Sequence, residues 1–265
     1  MSSADLDAYA LDTRYVLAGR DPAANHGFIN TPITRGSTVL FPTMEALRSG
    51  QQAFVYGTKG TPTTRALEEA WTALSGAAGT VLVPSGLAAI GLALEAFTKA
   101  GDHVLVVDSI YRPGRNFCEK ILKKGGVEVE YFDPLAPRAE VAALFRPNTS
   151  VLFLEAPGSQ SFEVCDVPGL AALAREKGAV SMLDNTWATP ILFPPHANGV
   201  DVAIEAGTKY LGGHSDLLLG LVSANAATFP RLREIFDVWA IPPGPEDVFL
   251  ALRGLRTLPR RLRVA

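Results

Sequence analysis

Short apolar runs alternate with apolar residues at helical spacing through most of this chain, and that alternation predicts its architecture. Leu67, Ala70, Trp71 and Leu74 recur at the spacing of one helix face, and Gly76 supplies a stop. Residues 80–83 predict a buried strand, 86–99 a helix and 103–108 a second strand; a helix over 116–124 ends before Gly125-Gly126, and 127–132 predict the next strand. Residues 150–154, 170–177 and 180–184 repeat strand, helix and strand, and 202–204 and 218–222 add further strands. Strands apolar on both faces and separated by helices predict an α/β fold, a mainly parallel sheet covered by helices.

Two stretches fall outside this rhythm. The first 55 residues scatter Pro, Gly and Thr, as in Asn30-Thr31-Pro32-Ile33-Thr34, and predict an extended arm. From Ala251 a new apolar pattern starts, with Leu252, Leu255 and Leu258 needing a surface to cover them. That pattern fits a terminal docking segment or the start of a further domain.

Composition narrows the function classes. Of 265 residues, 48% are hydrophobic, enough to build a packed core and to exclude intrinsic disorder. Lys+Arg number 24 against 27 Asp+Glu, a net charge of −3 with no basic stripe, which argues against affinity built on nucleic-acid phosphates. Cys118 and Cys165 form neither a disulfide scaffold nor a zinc cluster, so no metal is expected and a reducing cytoplasm fits best. Asp5, Asp7 and Asp12 interrupt any signal-peptide core, and the apolar stretch 217–222 is far shorter than the roughly 20 residues that span a bilayer, so neither export nor a membrane is expected.

In open α/β sheets ligands collect where strands end, so the residues just after each strand are the candidates. Pro84-Ser85-Gly86-Leu87 opens a helix, and its free N–H groups suit an anion, although Ser85 as a plain helix cap explains the same residues. Asp184 ends an apolar run, where a carboxylate needs a cation or donors; it is a functional partner or an N-cap for the segment after it. Lys209 follows the 202–204 strand among Gly207, Thr208, Gly212 and Gly213, small residues that leave room for a ligand. An amine partly withdrawn from water can be a Schiff-base nucleophile. The other lysines considered, Lys99, Lys123, Lys124 and Lys177, sit at helix ends. Tyr111 by itself suits a lid on the core, Tyr56 an arm anchor, His214 a hydrogen-bonded structural residue and Cys118 a small buried hydrophobe.

Residues 201–215, DVAIEAGTKYLGGHS, resemble the pyridoxal-phosphate attachment motif of the cysteine and methionine metabolism enzymes. Supporting segments stand in the family's order: 56–63, 84–87, 111–113, 155–159 and 184–187. Within the family, 108–113, 117–122, 132–135 and 212–216 look most like the branch that cleaves L-cystathionine by β-elimination. The resemblance implies a fold-type I large domain, divided as an arm over 1–55, a pyridoxal 5'-phosphate-binding domain over 56–250 and the start of a truncated C-terminal domain over 251–265.

It also implies residue roles. Lys209 would hold the cofactor and shuttle protons, Asp184 would pair with the pyridine nitrogen, Gly86 and Leu87 would offer N–H groups to the phosphate, and the Thr208 hydroxyl would add a donor. Tyr111 would stack on the ring, and Tyr56 would reach the cofactor of a neighbouring subunit in a homo-oligomer, a dimer or a tetramer built from dimers. Catalytic roles fall on Lys209, Tyr111 and Tyr56. Thr58 stands where the family usually has an arginine in the neighbour's phosphate clamp; it can donate one hydrogen bond but no charge, and Lys59 lies beside it. None of Arg253, Arg256, Arg260, Arg261 or Arg263 matches by motif the arginine that binds the substrate α-carboxylate. The implied activity is β-elimination of a small sulfur amino acid, L-cystathionine, to homocysteine, pyruvate and ammonia. Alternatives are a γ-synthase, γ-lyase or O-acylhomoserine sulfhydrylase of the same family, or a non-catalytic cofactor-domain fragment.

Overall fold

A computed structural model describes residues 6–264. Every predicted apolar run forms a strand: β1 Gly79–Val83, β2 His103–Val107, β3 Glu128–Phe132, β4 Thr149–Glu155, β5 Val180–Asp184, β6 Val202–Glu205 and β7 Gly220–Ala224. They make one seven-stranded sheet of order β1-β7-β6-β5-β4-β2-β3. β2 to β6 pair in parallel, whereas β7 runs antiparallel to both β1 and β6. The reversal follows from connectivity: β6 and β7 share an edge and are joined by the 206–219 loop, with no helix to carry the chain back across the sheet.

Eleven helices are described: α1 Leu11–Leu17, α2 Met44–Ser49, α3 Pro62–Ser75, α4 Gly86–Phe97, α5 Arg112–Phe117, α6 Arg138–Leu144, α7 Val167–Glu176, α8 Thr189–Leu192, α9 Phe229–Trp239, α10 Pro245–Leu255 and α11 Leu258–Leu262. Local chemistry sets their ends. Thr61 and Thr64 cap α3 reciprocally with Pro62 in its first turn, and Gly76, at a left-handed φ of 72°, ends it. Ser85 caps α4 by accepting the Ala88 N–H at 3.1 Å. The helix predicted over 116–124 begins earlier, at Arg112, and widens into a π-turn over Cys118–Leu122.

Two apolar clusters pack on the sheet. One spans both faces of its parallel part, with Val104, Leu105, Val106, Val107, Phe153 and Met182 and residues of α4 and α7; the second layer gathers Leu67, Trp71, Leu82, Leu211, Leu219 and Leu221. Tyr15 of α1 and Leu252, Leu255 and Leu258 join this second layer, so two expectations need correcting. The first 55 residues are not extended throughout, because α1 docks through Tyr15, a contact too brief to register as periodicity. The boundary expected at 250/251 falls inside α10, which packs on α3 and buries the three leucines that needed cover. Arg256 ties the ends of the fold by donating to the carbonyls of Tyr15 at 3.0 Å and Ala18 at 2.6 Å.

Gly254 makes α10 matter to the site. A Cβ there would lie 2.1 Å from the Leu211 carbonyl oxygen and 2.7 Å from that of Gly212, in the loop that carries Lys209. Gly254→Ala is therefore expected to lower stability by about 1–3 kcal/mol. The exposed neighbour change Arg253→Ala should stay within about 0.5 kcal/mol, both measured by urea unfolding.

Candidate active site

The strand ends facing α4 enclose a cavity of about 540 Å³, and Lys209, Asp184, Gly86, Leu87, Tyr111 and Thr208 all line it. Asp184 is the last residue of β5 and is buried at 8% exposure. Its Oδ1 accepts the Thr186 N–H at 3.0 Å, and Thr186 Oγ1 accepts the Ala206 N–H at 2.8 Å. Thr186 thus couples the acid to the lysine loop. Burial holds the Asp184 carboxyl above its ordinary range, the Thr186 hydrogen bonds opposing this only in part. Among the described residues no Lys, Arg or His forms an ion pair with it.

Lys209 lies in the β6–β7 loop, its N–H on the Ala206 carbonyl at 2.9 Å and its own carbonyl accepting from Gly213 at 2.7 Å. The expectation of an amine withdrawn from water is corrected: Lys209 is an exposed residue at the cavity wall. It joins no ion pair among the described residues. At the start of α4, which lines the same cavity, the Ser85 cap consumes only the Ala88 N–H, and those of Gly86 and Leu87 have no acceptor among the described residues. The cap and the anion site are therefore the same turn. Gly86 is required by close approach, since a Cβ would meet Ala206 Cβ at 2.8 Å.

The remaining candidates divide. Tyr111, exposed at the rim, donates its main-chain N–H to Glu155 Oε2 at 2.6 Å. Thr208 lines the cavity, but its hydroxyl is occupied by Leu219, accepting from the N–H at 3.0 Å and donating to the carbonyl at 3.2 Å. Tyr56 and Thr58 are not brought to Lys209 within this chain; they line a separate cleft of about 300 Å³ beside the ion pair of Arg35 and Glu246. Lys59 is turned away onto Asp237 at 3.3 Å. His214 Nδ1 rests 2.9 Å from the Gly212 carbonyl oxygen, and Cys118 and Cys165 are buried free thiols, pushed up to about 12 and about 11 by burial.

Three residues that matter were not singled out from sequence. Thr186 links Asp184 to the loop. Glu155 ends β4 in register with Asp184, and burial together with the Asp184 charge pushes its carboxyl up to about 8. Glu205 ends β6, fully buried with Oε1 unpartnered, and burial, reinforced by Asp184, raises it well above the ordinary carboxylate range. Each acid closes an apolar run at one edge of the sheet, the signal by which they could have been found.

These residues fit a ligand that is cationic at one end and anionic at the other. One cavity is lined by a buried carboxyl with no ion-pair partner among the described residues, two unclaimed N–H groups at a helix start and an exposed amine. Among the described residues no cluster of His, Cys, Asp and Glu could hold a metal ion, and no helix is long and apolar enough to cross a membrane.

The mixed sheet and its strand-end cavity belong to the large-domain fold of pyridoxal-phosphate-dependent enzymes. A crystal structure of cystathionine gamma-lyase from Lactobacillus plantarum complexed with L-serine superposes with a TM-score of 0.90 at 28% identity, covering 95% of this chain and 65% of that one. The chain belongs to the Cys/Met metabolism PLP-dependent enzyme family, whose profile matches residues 12–265. A candidate cystathionine beta-lyase of Saccharomyces cerevisiae is 50% identical over 259 residues, 98% of this chain and 76% of its own length. Cystathionine beta-lyase MetC of Escherichia coli is 41% identical over 260 residues, 96% of this chain and 66% of its own. The chain thus spans roughly two thirds to three quarters of these relatives.

The acids make stability depend on pH in a definite sense. Glu155, Asp184 and Glu205 all have folded-state pKa values raised above their ordinary 4.5, 3.8 and 4.5, so their stabilisation is full below those values and lost as pH rises, for Glu155 through about 8. The cofactor-free protein should melt at progressively lower temperature from about pH 5 to about pH 8. Glu205→Gln, which keeps the shape and removes the proton, should flatten that decline in a pH series of thermal melts.

Proposed function

We propose that this chain carries the cofactor site of a carbon–sulfur lyase that β-eliminates L-cystathionine to homocysteine, pyruvate and ammonia. The observation that carries the reading is the meeting of Lys209 and Asp184 in one cavity with Gly86 and Leu87, whose N–H groups are unclaimed among the described residues. It is supported by the names of the relatives and by the segment likeness that pointed to the β-eliminating branch.

When bound, pyridoxal phosphate supplies an electron sink for charge developing at the substrate Cα. The chain's residues do the rest. Lys209 would hold the cofactor, take the proton from the substrate Cα and deliver a proton where the leaving group needs one. Asp184 would pair with the protonated pyridine nitrogen, which would stabilise its own buried charge in return. Gly86 and Leu87 would orient the phosphate, Tyr111 would stack on the ring, and Trp187 and Phe162 line the cavity as aromatic surfaces that would exclude water. Tyr56 and Thr58 serve the cofactor of a second copy, which makes the working unit a homodimer or a tetramer built from two dimers, in the cytoplasm. The Thr208 hydroxyl reaches the phosphate only by exchanging its Leu219 partner. γ-Elimination is the second reading, favoured by the likeness to the Lactobacillus plantarum enzyme.

Borohydride should trap the cofactor on Lys209, found by peptide mass, and Lys209→Ala should abolish the adduct; an adduct that persists elsewhere sinks the assignment. Asp184→Asn should slow turnover by at least about 100-fold, the scale of losing one buried charge aimed at the reacting system. Cystathionine should yield pyruvate, and 2-oxobutyrate in its place would establish γ-elimination.

A further inference from the structure

Glu155 is costly where it stands. It ends β4 in register with Asp184, half-buried, with no Lys, Arg or His within ion-pair distance among the described residues. Burial and the neighbouring acid push its carboxyl up to about 8, and a site that keeps a disfavoured acid has a use for it. Among the described residues its carboxyl accepts one hydrogen bond, the 2.6 Å contact from the Tyr111 N–H.

Tyr111 needs that hold. It is the N-cap residue of α5, its side chain makes no cap, and Pro113 in the first turn has no N–H to give. Its carbonyl accepts from Arg115 at 3.0 Å, so the residue is fastened from the helix side through oxygen and from the sheet side through nitrogen. Ser159 N–H on the Ser109 carbonyl at 2.8 Å anchors the segment just before it. The ring itself projects, 41% exposed, at the rim of the Lys209 cavity. Among the described residues no hydrogen bond reaches the ring hydroxyl, and the clamp holds the backbone that carries the ring.

We propose that Glu155 is a positioning residue: by accepting the main-chain N–H of Tyr111 it sets the angle at which that ring faces the cofactor. This rests on the reading of Lys209 as the cofactor's anchor. A hydrogen-bond acceptor is what the role requires, so glutamine should serve and a hydrocarbon should not.

The test compares Glu155→Gln and Glu155→Leu in the full chain loaded with pyridoxal phosphate. Borohydride trapping on Lys209 should succeed in the parent and both variants; its failure in the parent overturns the cofactor reading, not the role of Glu155. Glu155→Leu should raise the cofactor dissociation constant about tenfold, the scale of one hydrogen bond, and reduce the circular dichroism of the cofactor's visible band. Glu155→Gln should stay within about twofold on binding and keep the band. In a Tyr111→Ala background, Glu155→Leu should add nothing, since there is no ring to aim. The proposal is overturned if Glu155→Leu matches the parent, if Glu155→Gln fails as badly as Glu155→Leu, or if the leucine effect survives Tyr111→Ala. Should Glu155→Leu not fold, Glu155→Ser, too short to reach the N–H, takes its place with the same expectations.

Discussion

A carboxylate sealed at the end of β5 with no cation beside it is the constraint that organises this molecule. Asp184 can be charged there only if something positive is delivered, and its strand neighbours make matters worse by contributing Glu155 and Glu205 at the same edge. The start of α4, on the same cavity, presents the opposite imbalance, N–H groups and a helix dipole with no acceptor among the described residues. A dipolar ligand would cancel both deficits at once. In the proposed reading that ligand is a cofactor with a protonated ring nitrogen and a phosphate.

How much of this was legible in the sequence depends on the physics of each element. Strands buried on both faces are continuous apolar runs and needed no context, and Gly76 announced the end of α3 because a left-handed residue is cheapest as glycine. The reversal of β7 was not legible, because hydrophobic pattern carries no direction. Nor was the docking of α1 or the covering of Leu252, Leu255 and Leu258, since each depends on two segments at opposite ends of the chain meeting. Lys209 and Asp184 were found by position at strand ends and by motif. Glu155 and Thr186 escaped notice within their motifs, because their work lies in hydrogen bonds to backbone atoms, which sequence does not display.

The arm shows the limit of reading roles from one copy. Tyr56 and Thr58 are held in place, with Gly57 donating to the Ser37 carbonyl at 2.7 Å and Tyr56 bridging to Thr38, yet they line a different cleft from Lys209. With Lys59 engaged by Asp237, no cation of that loop is left to stand in for the arginine that Thr58 replaces. In the proposed reading the burden of the phosphate falls on the N–H groups of Gly86 and Leu87.

The returning strand β7 has a temporal consequence. It brings Gly220 into register with Val83, and a Cβ on Gly220 would lie 2.2 Å from the Ser85 carbonyl oxygen, so the phosphate turn is braced by a strand made far later in synthesis. Pairings between such distant stretches form slowly, after local helices are complete. A ribosome that has released the first half of this polypeptide has therefore produced the anion cradle's residues but not the cradle. Vitamin capture becomes possible only once the last strand slots home between its older neighbours.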